Sequence, residues 1–326
     1  MKKQTKLRAV GLCSGIEGFE LAAEDNGVEV TATAEVNEDA KLVSFLNNGR
    51  KSLGDIRKIN GADLGKFDLL LAGSSCKGWS QIGNQLGFAH SEGDILLHCI
   101  RIAKEANAKV ILTENVPAIV SHSQGKSLEI INEFLVECGF TPFEGRVLNS
   151  AHWGLSTARK RWFACSFRKD VKHLPLVWPD FKKPPRHIRA DLLPEEEVKD
   201  LYVDDSEFVK ADRKRPVDPY SSLMLGYVRK QFRERMVWSI DALAPTFMAA
   251  IGGPGGPSGL FQMDDGRIRN LAPSEMLASM GFPKNYRIPF HGFRGGRLVG
   301  NALCPPVAKS VVSMVIKSLN GQGVAK

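Results

Sequence analysis

The sequence predicts an α/β protein with a doubly wound, largely parallel sheet and a second, smaller domain. Short apolar runs alternate with helical patterns through the first half of the chain, and each run ends in a turn of small or polar residues. After about residue 167 this alternation is lost, and proline and charged residues become dense. A chain of 326 residues has room for one large domain or two. We therefore expect one domain over 1–170 with 296–326, and another over 171–295.

The elements of the first domain can be placed in chain order from apolar period and turn residues. The predicted strands cover 7–12, 28–35, 67–71, 109–116, 144–150 and 161–167. The predicted helices follow the first turn up to Gly27 and then cover 39–47, 92–107, 126–138 and 305–319. The last helix is expected to return and pack on the first domain.

Composition narrows the class of protein. The formal net charge is +8, which suits a nucleic-acid partner but is a weak signal alone. No apolar run approaches the roughly 18–20 residues of a membrane span, and the basic start has too short an apolar stretch for a signal peptide, so we expect a cytoplasmic protein. The six cysteines form no CxxC pair and the histidines no HxxxH, which predicts reduced thiols and no metal site.

A thiol and a carboxyl group follow two neighbouring predicted strands. The run 67–71 leads into a loop of small residues that carries Cys76, and the next strand ends on Glu114 and Asn115. In parallel sheets chemistry gathers at such strand ends. Cys76 is therefore either a nucleophile or simply a small buried residue.

A nucleophilic Cys76 needs activation, because only the thiolate attacks well. The basic residues Lys77, Arg159 and Arg161 are candidates to lower its pKa. Glu114 is a candidate proton donor if burial keeps it protonated.

Two further segments suggest ligands. The glycine-rich turn GLCSGIEG at 11–18, followed by Glu35 and Asp55 at later strand ends, predicts either an adenosine-bearing cofactor or merely a tight strand-to-helix turn. Segment 208–238 interleaves lysine and arginine with aromatic residues, which suits either a nucleic-acid surface or a solvated helix face. Together these features favour group transfer to a nucleobase.

Motifs spanning nearly the whole chain then carry a family resemblance. They are GLCSGIEG (11–18), Glu35, GDI (54–56), GSSCKGWS (73–80), ENV (114–116), TARKR (157–161), RNLAPSE (269–275) and GN (300–301). In this order they resemble the motifs of the DNA (cytosine-5) methyltransferases. The resemblance implies a Rossmann-like, S-adenosylmethionine-dependent methyltransferase sheet with a target-recognition domain at 171–295.

The resemblance also implies residue roles. Cys76 would attack C6 of a flipped cytosine in duplex DNA, Glu114 would contact N3 and the exocyclic amine, and Arg159 and Arg161 would hold the base and backbone. The implied cofactor-binding residues are Cys13, Gly15, Ile16, Glu17, Gly18, Glu35, Val36, Asp55, Ile56, Ser75 and Asn301. The implied DNA-contacting residues are Lys77, Ser80, Thr246, Gly252 and Gly253.

Departures from the family pattern cluster in the cofactor motifs. The family's Asp is Gly11, its Phe is Cys13, a Gly of the turn is Glu17, and the residues flanking the nucleophile are Ser75 and Lys77. One interpretation is drift around a working methyl site. The other is a modified S-adenosylmethionine-type donor, recognised by Glu17 and Lys77.

Two different functions also fit the altered motifs. The same scaffold could act on RNA, or the chain could be a non-catalytic nucleic-acid-binding relative. A monomer is expected. The motifs leave open which DNA sequence is recognised and whether a partner restriction endonuclease exists.

Overall fold

The structure, a computed structural model, describes residues 6–74, 94–211, 216–230, 233–249 and 260–321. The chain divides into two compact units. The first comprises 1–148, 160–179 and 305–326, and the second comprises 149–159 and 180–304. Residues 149–159 and 296–304 thus pack in the second unit. The assignment of catalysis to one unit and target recognition to the other stays a prediction.

The strands of the first sheet and the helices that flank it lie close to the positions predicted from the sequence. The strands are β1 (Arg8–Leu12), β2 (Glu29–Ala34), β3 (Leu69–Ala72), β4 (Val110–Asn115), β5 (Glu144–Asn149) and β6 (Lys160–Phe167). The helices that precede the second unit are α1 (Gly18–Glu24), α2 (Glu38–Asn48), α3 (Ile95–Glu105), α4 (Ala118–Ser121) and α5 (Lys126–Glu137).

In the described part of the chain these strands lie in the order β2-β1-β3-β4-β6-β5. The pairings β2–β1, β1–β3 and β3–β4 are parallel, and β6 runs antiparallel to β4. The register aligns Leu12 with Ala34 and with Ala72, and Ala72 with Thr113. These four residues define what we call the carboxyl edge of the sheet. The segments that follow them all begin at this edge.

The core forms because β1, β3 and β4 are buried on both faces along almost their whole length, which suits strands in which most residues are apolar. Leu70, Ile100, Ile111 and Leu135 belong to a fully buried cluster that joins the sheet to α3 and α5. The predicted α/β, doubly wound class is confirmed.

Among its described residues the second unit contains a five-stranded sheet and two α-helices. Its elements are β7 (Phe208–Lys210), β8 (Met224–Lys230), β9 (Arg233–Ser239), β10 (Leu260–Gln262), β11 (Ile268–Asn270), α6 (Pro273–Ser279) and α7 (Gly292–Asn301). The strands lie in the order β11-β10-β9-β8-β7 among the described residues. In the described part of segment 208–238, Lys210, Arg229, Lys230, Arg233 and Arg235 belong to strands, so the helix-face interpretation is wrong for these basic residues.

The chain ends in α8 (Pro305–Leu319), which belongs to the first unit. Asn26 donates to the Lys309 carbonyl at 3.0 Å, and Lys309 forms an ion pair with Asp25, so α8 lies against α1 as predicted. The stretch 292–319 is apolar enough to cross a membrane by length and composition, but it breaks between α7 and α8 and its most apolar window is 67% buried inside the protein. A core segment passes the same test, so this stretch is a weak indication of a membrane span.

Candidate active site

The glycine-rich turn leaves β1 at the carboxyl edge and returns as α1. Cys13, Gly15 and Glu17 all have positive φ angles, of 53°, 54° and 59°. The Ser14 N–H donates to the Ala34 carbonyl at 3.1 Å, and the Gly15 N–H donates to the Glu35 carboxylate at 2.8 Å. The turn is therefore held against the end of β2.

Glu35 is fixed by the backbone around it. Its second carboxylate oxygen accepts from the N–H groups of Val36 and Asn37, each at 2.8 Å. The neighbouring Val36 side chain is 61% exposed. A carboxylate and an exposed apolar side chain at one strand end fit the ribose hydroxyls and adenine face of an adenosine group.

Asp55 and Ile56 form the next part of this edge. Asp55 begins a short 3-10 turn by accepting from the Arg57 N–H at 3.0 Å, and Ile56 is buried. Arg101 of α3 donates to the carbonyls of Ile56 and Ile59 at 3.1 and 3.0 Å. The Asp55 side chain is therefore presented from a turn that is anchored to α3.

The charge of Glu17, which we expected to face the cofactor, points into the protein. Its side chain is fully buried and accepts from the Ser44 hydroxyl and the Asn48 amide, each at 2.5 Å. Arg50 also forms an ion pair with it. The charge of Glu17 is thus neutralised inside the protein, which removes the main reason for expecting a modified donor.

The end of β3 is tied to the end of β4. The Asn115 amide donates to the Ser74 hydroxyl at 3.0 Å and to the Ser74 carbonyl at 3.3 Å. A Cβ on Gly73 would lie 2.9 Å from the Cys13 carbonyl oxygen, so the chain passes the glycine-rich turn too closely for a side chain. The segment that leads to Cys76 therefore starts beside Glu114 and next to the glycine-rich turn. Ser75, Cys76, Lys77, Ser80, Gly252 and Gly253 lie outside the described residues.

Glu114 and Arg161 form a pair at the carboxyl edge. Arg161 Nε lies 3.0 Å from Glu114 Oε1, and Glu114 is only 8% exposed. The antiparallel register of β4 and β6, with Glu114 opposite Phe163, brings the two side chains to the same end of the sheet. A buried carboxylate is retained here because a guanidinium compensates its charge.

Arg159 lies in the second unit, where it is buried and joins three segments. Its guanidinium donates to the carbonyls of Phe247 and Gly300 at 3.0 and 3.1 Å, and its N–H donates to Ser150 Oγ at 2.9 Å. Thr246 is part of the same arrangement, because its hydroxyl donates to the Ala158 carbonyl at 2.7 Å. Asn301, the residue after Gly300, is exposed at the end of α7. The second unit thus unites the predicted residues Arg159 and Thr246 and the closing GN motif.

Several functional candidates had no motif to identify them. Ser44, Asn48 and Arg50 carry no recognisable spacing, and their contacts with Glu17 appear only once α2 is placed beside the turn. Asn115 belongs to the ENV motif, but its hydrogen bonds to Ser74 depend on the register of β3 and β4.

The glycine-rich turn and the strand end with Glu114 lie at one edge of a doubly wound sheet, an arrangement that favours an α/β enzyme of the group-transfer class. Comparison with known proteins specifies the family. The family model of C-5 cytosine-specific DNA methylases matches residues 7–317, so the chain belongs to that family. The resemblance deduced from the motifs is confirmed, and the protein is a DNA cytosine-C5 methyltransferase by class.

Individual relatives agree with this assignment. The Type II methyltransferase M.HhaI of Haemophilus parahaemolyticus is 30% identical over 319 residues, covering 98% of this chain and 97% of that protein. The Type II methyltransferase M.MspI of Moraxella sp is 28% identical over 325 residues, covering 96% and 72%. The crystal structure of the S. pombe Dnmt2 methyltransferase has the same fold, with a TM-score of 0.74 at 19% identity over 96% of this chain and 99% of that one.

Proposed function

We propose that the protein methylates C5 of a flipped cytosine in duplex DNA, with S-adenosylmethionine as donor and Cys76 as nucleophile. Family membership supports the reaction. The observation that carries the site is the pair of hydrogen bonds from Asn115 to Ser74, which start the Cys76 loop beside the buried Glu114.

The base chemistry belongs to residues of the carboxyl edge. The Cys76 thiolate forms a bond to C6, and the electrons of the C5–C6 double bond become available at C5. Glu114 contacts N3 and the exocyclic amine, and Arg161 holds Glu114 in place. Bound S-adenosylmethionine would supply the methyl group that C5 takes, with S-adenosylhomocysteine as the leaving group. Water or hydroxide then takes the C5 proton, the electron pair of the C5–H bond re-forms the C5–C6 double bond, and the Cys76–C6 bond breaks to regenerate the free thiolate.

Residues of the first unit hold the cofactor in this proposal. Glu35 and Val36 receive the ribose and the adenine face, and Asp55 with Ile56 contacts the far side of the ring. The turn residues Cys13, Gly15, Ile16 and Gly18 approach closely through their backbone. Because Glu17 is occupied by Ser44, Asn48 and Arg50, the plain methyl donor is favoured over a modified analogue.

In the second unit, Arg159 contributes by supporting the segments that present Thr246 and the GN motif. Lys77, Ser80, Thr246, Gly252 and Gly253 contact the DNA in this proposal, and Ser75 and Asn301 complete the cofactor site. The enzyme acts as a monomer in the cytoplasm.

Nucleoside mass spectrometry tests the proposal. DNA and RNA from cells that express the wild type, Cys76→Ala or Cys138→Ala are digested and compared. Cys138 is a half-buried cysteine at the end of α5 and serves as the matched control. We expect 5-methyldeoxycytidine with the wild type and Cys138→Ala, and none with Cys76→Ala.

Covalent trapping of the enzyme on DNA is the second test of the proposed function. Duplex DNA with fluorine at C5 of cytosine has no C5 proton to lose, so the Cys76–C6 bond should persist and retard the protein on a denaturing gel.

In the mass spectrometry experiment, modified cytidine in RNA alone would favour action on RNA, and a mass gain larger than one methyl group would favour a modified donor. Methylation by Cys76→Ala would refute the nucleophile, and DNA binding without any modification would favour the non-catalytic relative.

A further inference from the structure

The glycine-rich turn at residues 11–18, called the cofactor turn from here on, has a glutamate at a position where the backbone is left-handed. Glu17 has φ 59° and ψ 39°, the left-handed region that glycine adopts freely and an ordinary side chain adopts at a cost. The family has glycine at this position of the motif. Interactions of the Glu17 side chain must therefore stabilise the turn in this chain.

Those interactions all come from α2 and the residues just after it. Asn37 caps the start of α2 by accepting from the Ala40 N–H, and Gly49 ends it with φ 66°. Ser44 and Asn48 of this helix donate to the Glu17 carboxylate. The helix therefore holds a fixed set of donors against the turn.

Arg50 supplies the opposite charge. One guanidinium nitrogen contacts Glu17 and the other contacts Glu24 in the last turn of α1. The Arg50 side chain is 16% exposed and that of Glu17 is fully buried, so solvent screens their attraction only weakly. Arg50 thus connects the beginning and the end of α1.

The other part of the turn is held from the same direction. Gly15 donates to Glu35 and Ser14 donates to Ala34, and both acceptors lie at the end of β2, a few residues before α2 begins. The whole turn 14–17 is therefore fastened to the segment 34–50. Any change in the Glu17 contacts must affect the backbone that approaches the cofactor.

We propose that Arg50 is a positioning residue for S-adenosylmethionine binding, which acts through Glu17 by locking the cofactor turn in its left-handed conformation. This inference rests on the proposed function, because it needs a cofactor at the turn. Arg50 itself touches neither the donor nor the base in this proposal. The Arg50–Glu17 ion pair stabilises a left-handed conformation that glycine, the family's residue at position 17, adopts without such support.

Direct binding of S-adenosylmethionine by calorimetry tests the inference. In Arg50→Met the buried Glu17 carboxylate loses its counter-charge, so the turn should shift and the dissociation constant should rise by roughly tenfold or more. At saturating cofactor, kcat and the KM for DNA should stay within about twofold, because Arg50 contacts neither the base nor the DNA.

A second variant separates positioning from general damage. In Arg50→Met combined with Glu17→Gly, the buried carboxylate that would lack its counter-charge is absent, the Glu24 carboxylate that also loses Arg50 is 39% exposed to solvent, and glycine adopts the left-handed turn freely. We expect the dissociation constant to return to within about threefold of the wild type. Rescue of the dissociation constant at an unchanged folded fraction would show that Arg50 acts by positioning the turn and not by maintaining the folded protein.

Arg168→Met is the matched control. Arg168 forms an ion pair with Asp170 and donates to the Asn107 carbonyl, at the edge of the sheet where β4 begins. This edge is opposite to the carboxyl edge, so cofactor binding should not change. Chemical denaturation without cofactor reports the folded fraction of every variant.

The outcomes are distinguishable. Unchanged binding by Arg50→Met would overturn the inference, and so would equally weak binding by the double variant and Arg50→Met. If the wild type bound no S-adenosylmethionine, both the proposed function and this inference would fall. Binding by the wild type together with an unaffected Arg50→Met would remove the inference alone.

Discussion

Glu20 is a buried carboxyl group directly beneath the cofactor turn. It is 1% exposed, and a Cβ built on Gly11 would lie 1.9 Å from its Oε1. Among the described residues its Oε2 has no hydrogen-bond partner. Glycine at position 11, where the family has aspartate, is therefore required by the space that Glu20 fills.

This environment changes the protonation of Glu20. Burial raises the pKa of the Glu20 carboxyl well above its ordinary value, and the Glu17 carboxylate raises that pKa further. Arg50 lowers it and Glu24 raises it, both as smaller effects. A carboxyl whose pKa is higher in the folded state stabilises the protein fully below its unfolded pKa, and the contribution is lost as pH rises through the folded pKa.

We predict that Glu20→Gln removes a pH dependence of stability. As the pH rises above about 4.5, the free energy of unfolding of the wild type should fall relative to that of Glu20→Gln, with a limiting slope of about 1.4 kcal/mol per pH unit. Urea denaturation at a series of pH values measures the difference, with the exposed Glu29→Gln as control. Parallel profiles for the wild type and Glu20→Gln would contradict the prediction.

The residues of the site were predictable to different degrees. Motif spacing placed Glu114 and Glu35 at strand ends, where the structure has them, because strand ends follow directly from apolar runs. The direction of the Glu17 side chain was not predictable. Its partners Ser44, Asn48 and Arg50 come from a later helix, and only the packing of that helix shows that the charge points into the protein.

At the scale of elements, the start of α6 is fixed by the RNLAPSE motif. Arg269 donates twice to the Glu275 carboxylate, at 2.7 and 2.9 Å, and both side chains are almost completely buried. Glu275 also accepts from the N–H groups of Ala272 and Leu193 at 2.7 and 2.8 Å. The motif therefore joins β11, α6 and the segment around residue 193.

We predict that Arg269→Met destabilises the second unit strongly. Removing one partner of a buried ion pair leaves a buried charge, which typically costs about 3–5 kcal/mol. The control is Arg267→Met, because Arg267 pairs with Glu195 and Asp265 but is half-exposed, and solvent screening leaves such surface pairs with little effect on stability. Urea denaturation measures both. Similar losses for the two variants would show that burial does not decide the energy of the Arg269 pair.

The elements themselves were predicted unevenly. Strands β1, β3, β4 and β6 were recognised because they are largely apolar runs bounded by turn residues. Strands such as β7, β10 and β11 were not, since each has only three residues and no period can be read from so short a segment. Helix α7, with glycine at several positions of GFRGGRLVGN, lacks the composition from which a helix is predicted.

At the scale of the whole molecule, membership of a DNA methyltransferase family explains why a net charge of +8 is useful. A DNA methyltransferase must first associate with a polyanion, and each phosphate that it neutralises releases condensed counterions. The net charge alone did not identify DNA as the partner, because it does not show which surface of the protein carries the basic residues. Lys210, exposed on β7 within the basic and aromatic segment of the second unit, is a candidate phosphate contact.

We predict that duplex DNA binding weakens steeply with salt and that Lys210→Gln reduces the steepness. The logarithm of the binding constant should fall linearly with the logarithm of salt concentration, and loss of one phosphate contact should lower the slope by about 1. Fluorescence anisotropy over a salt series measures this. The control is Lys104→Gln, the same charge change on an exposed lysine near the end of α3, where β4 begins. An unchanged slope for Lys210→Gln, or an equal decrease for Lys104→Gln, would show that the segment around β7 does not contact the phosphates.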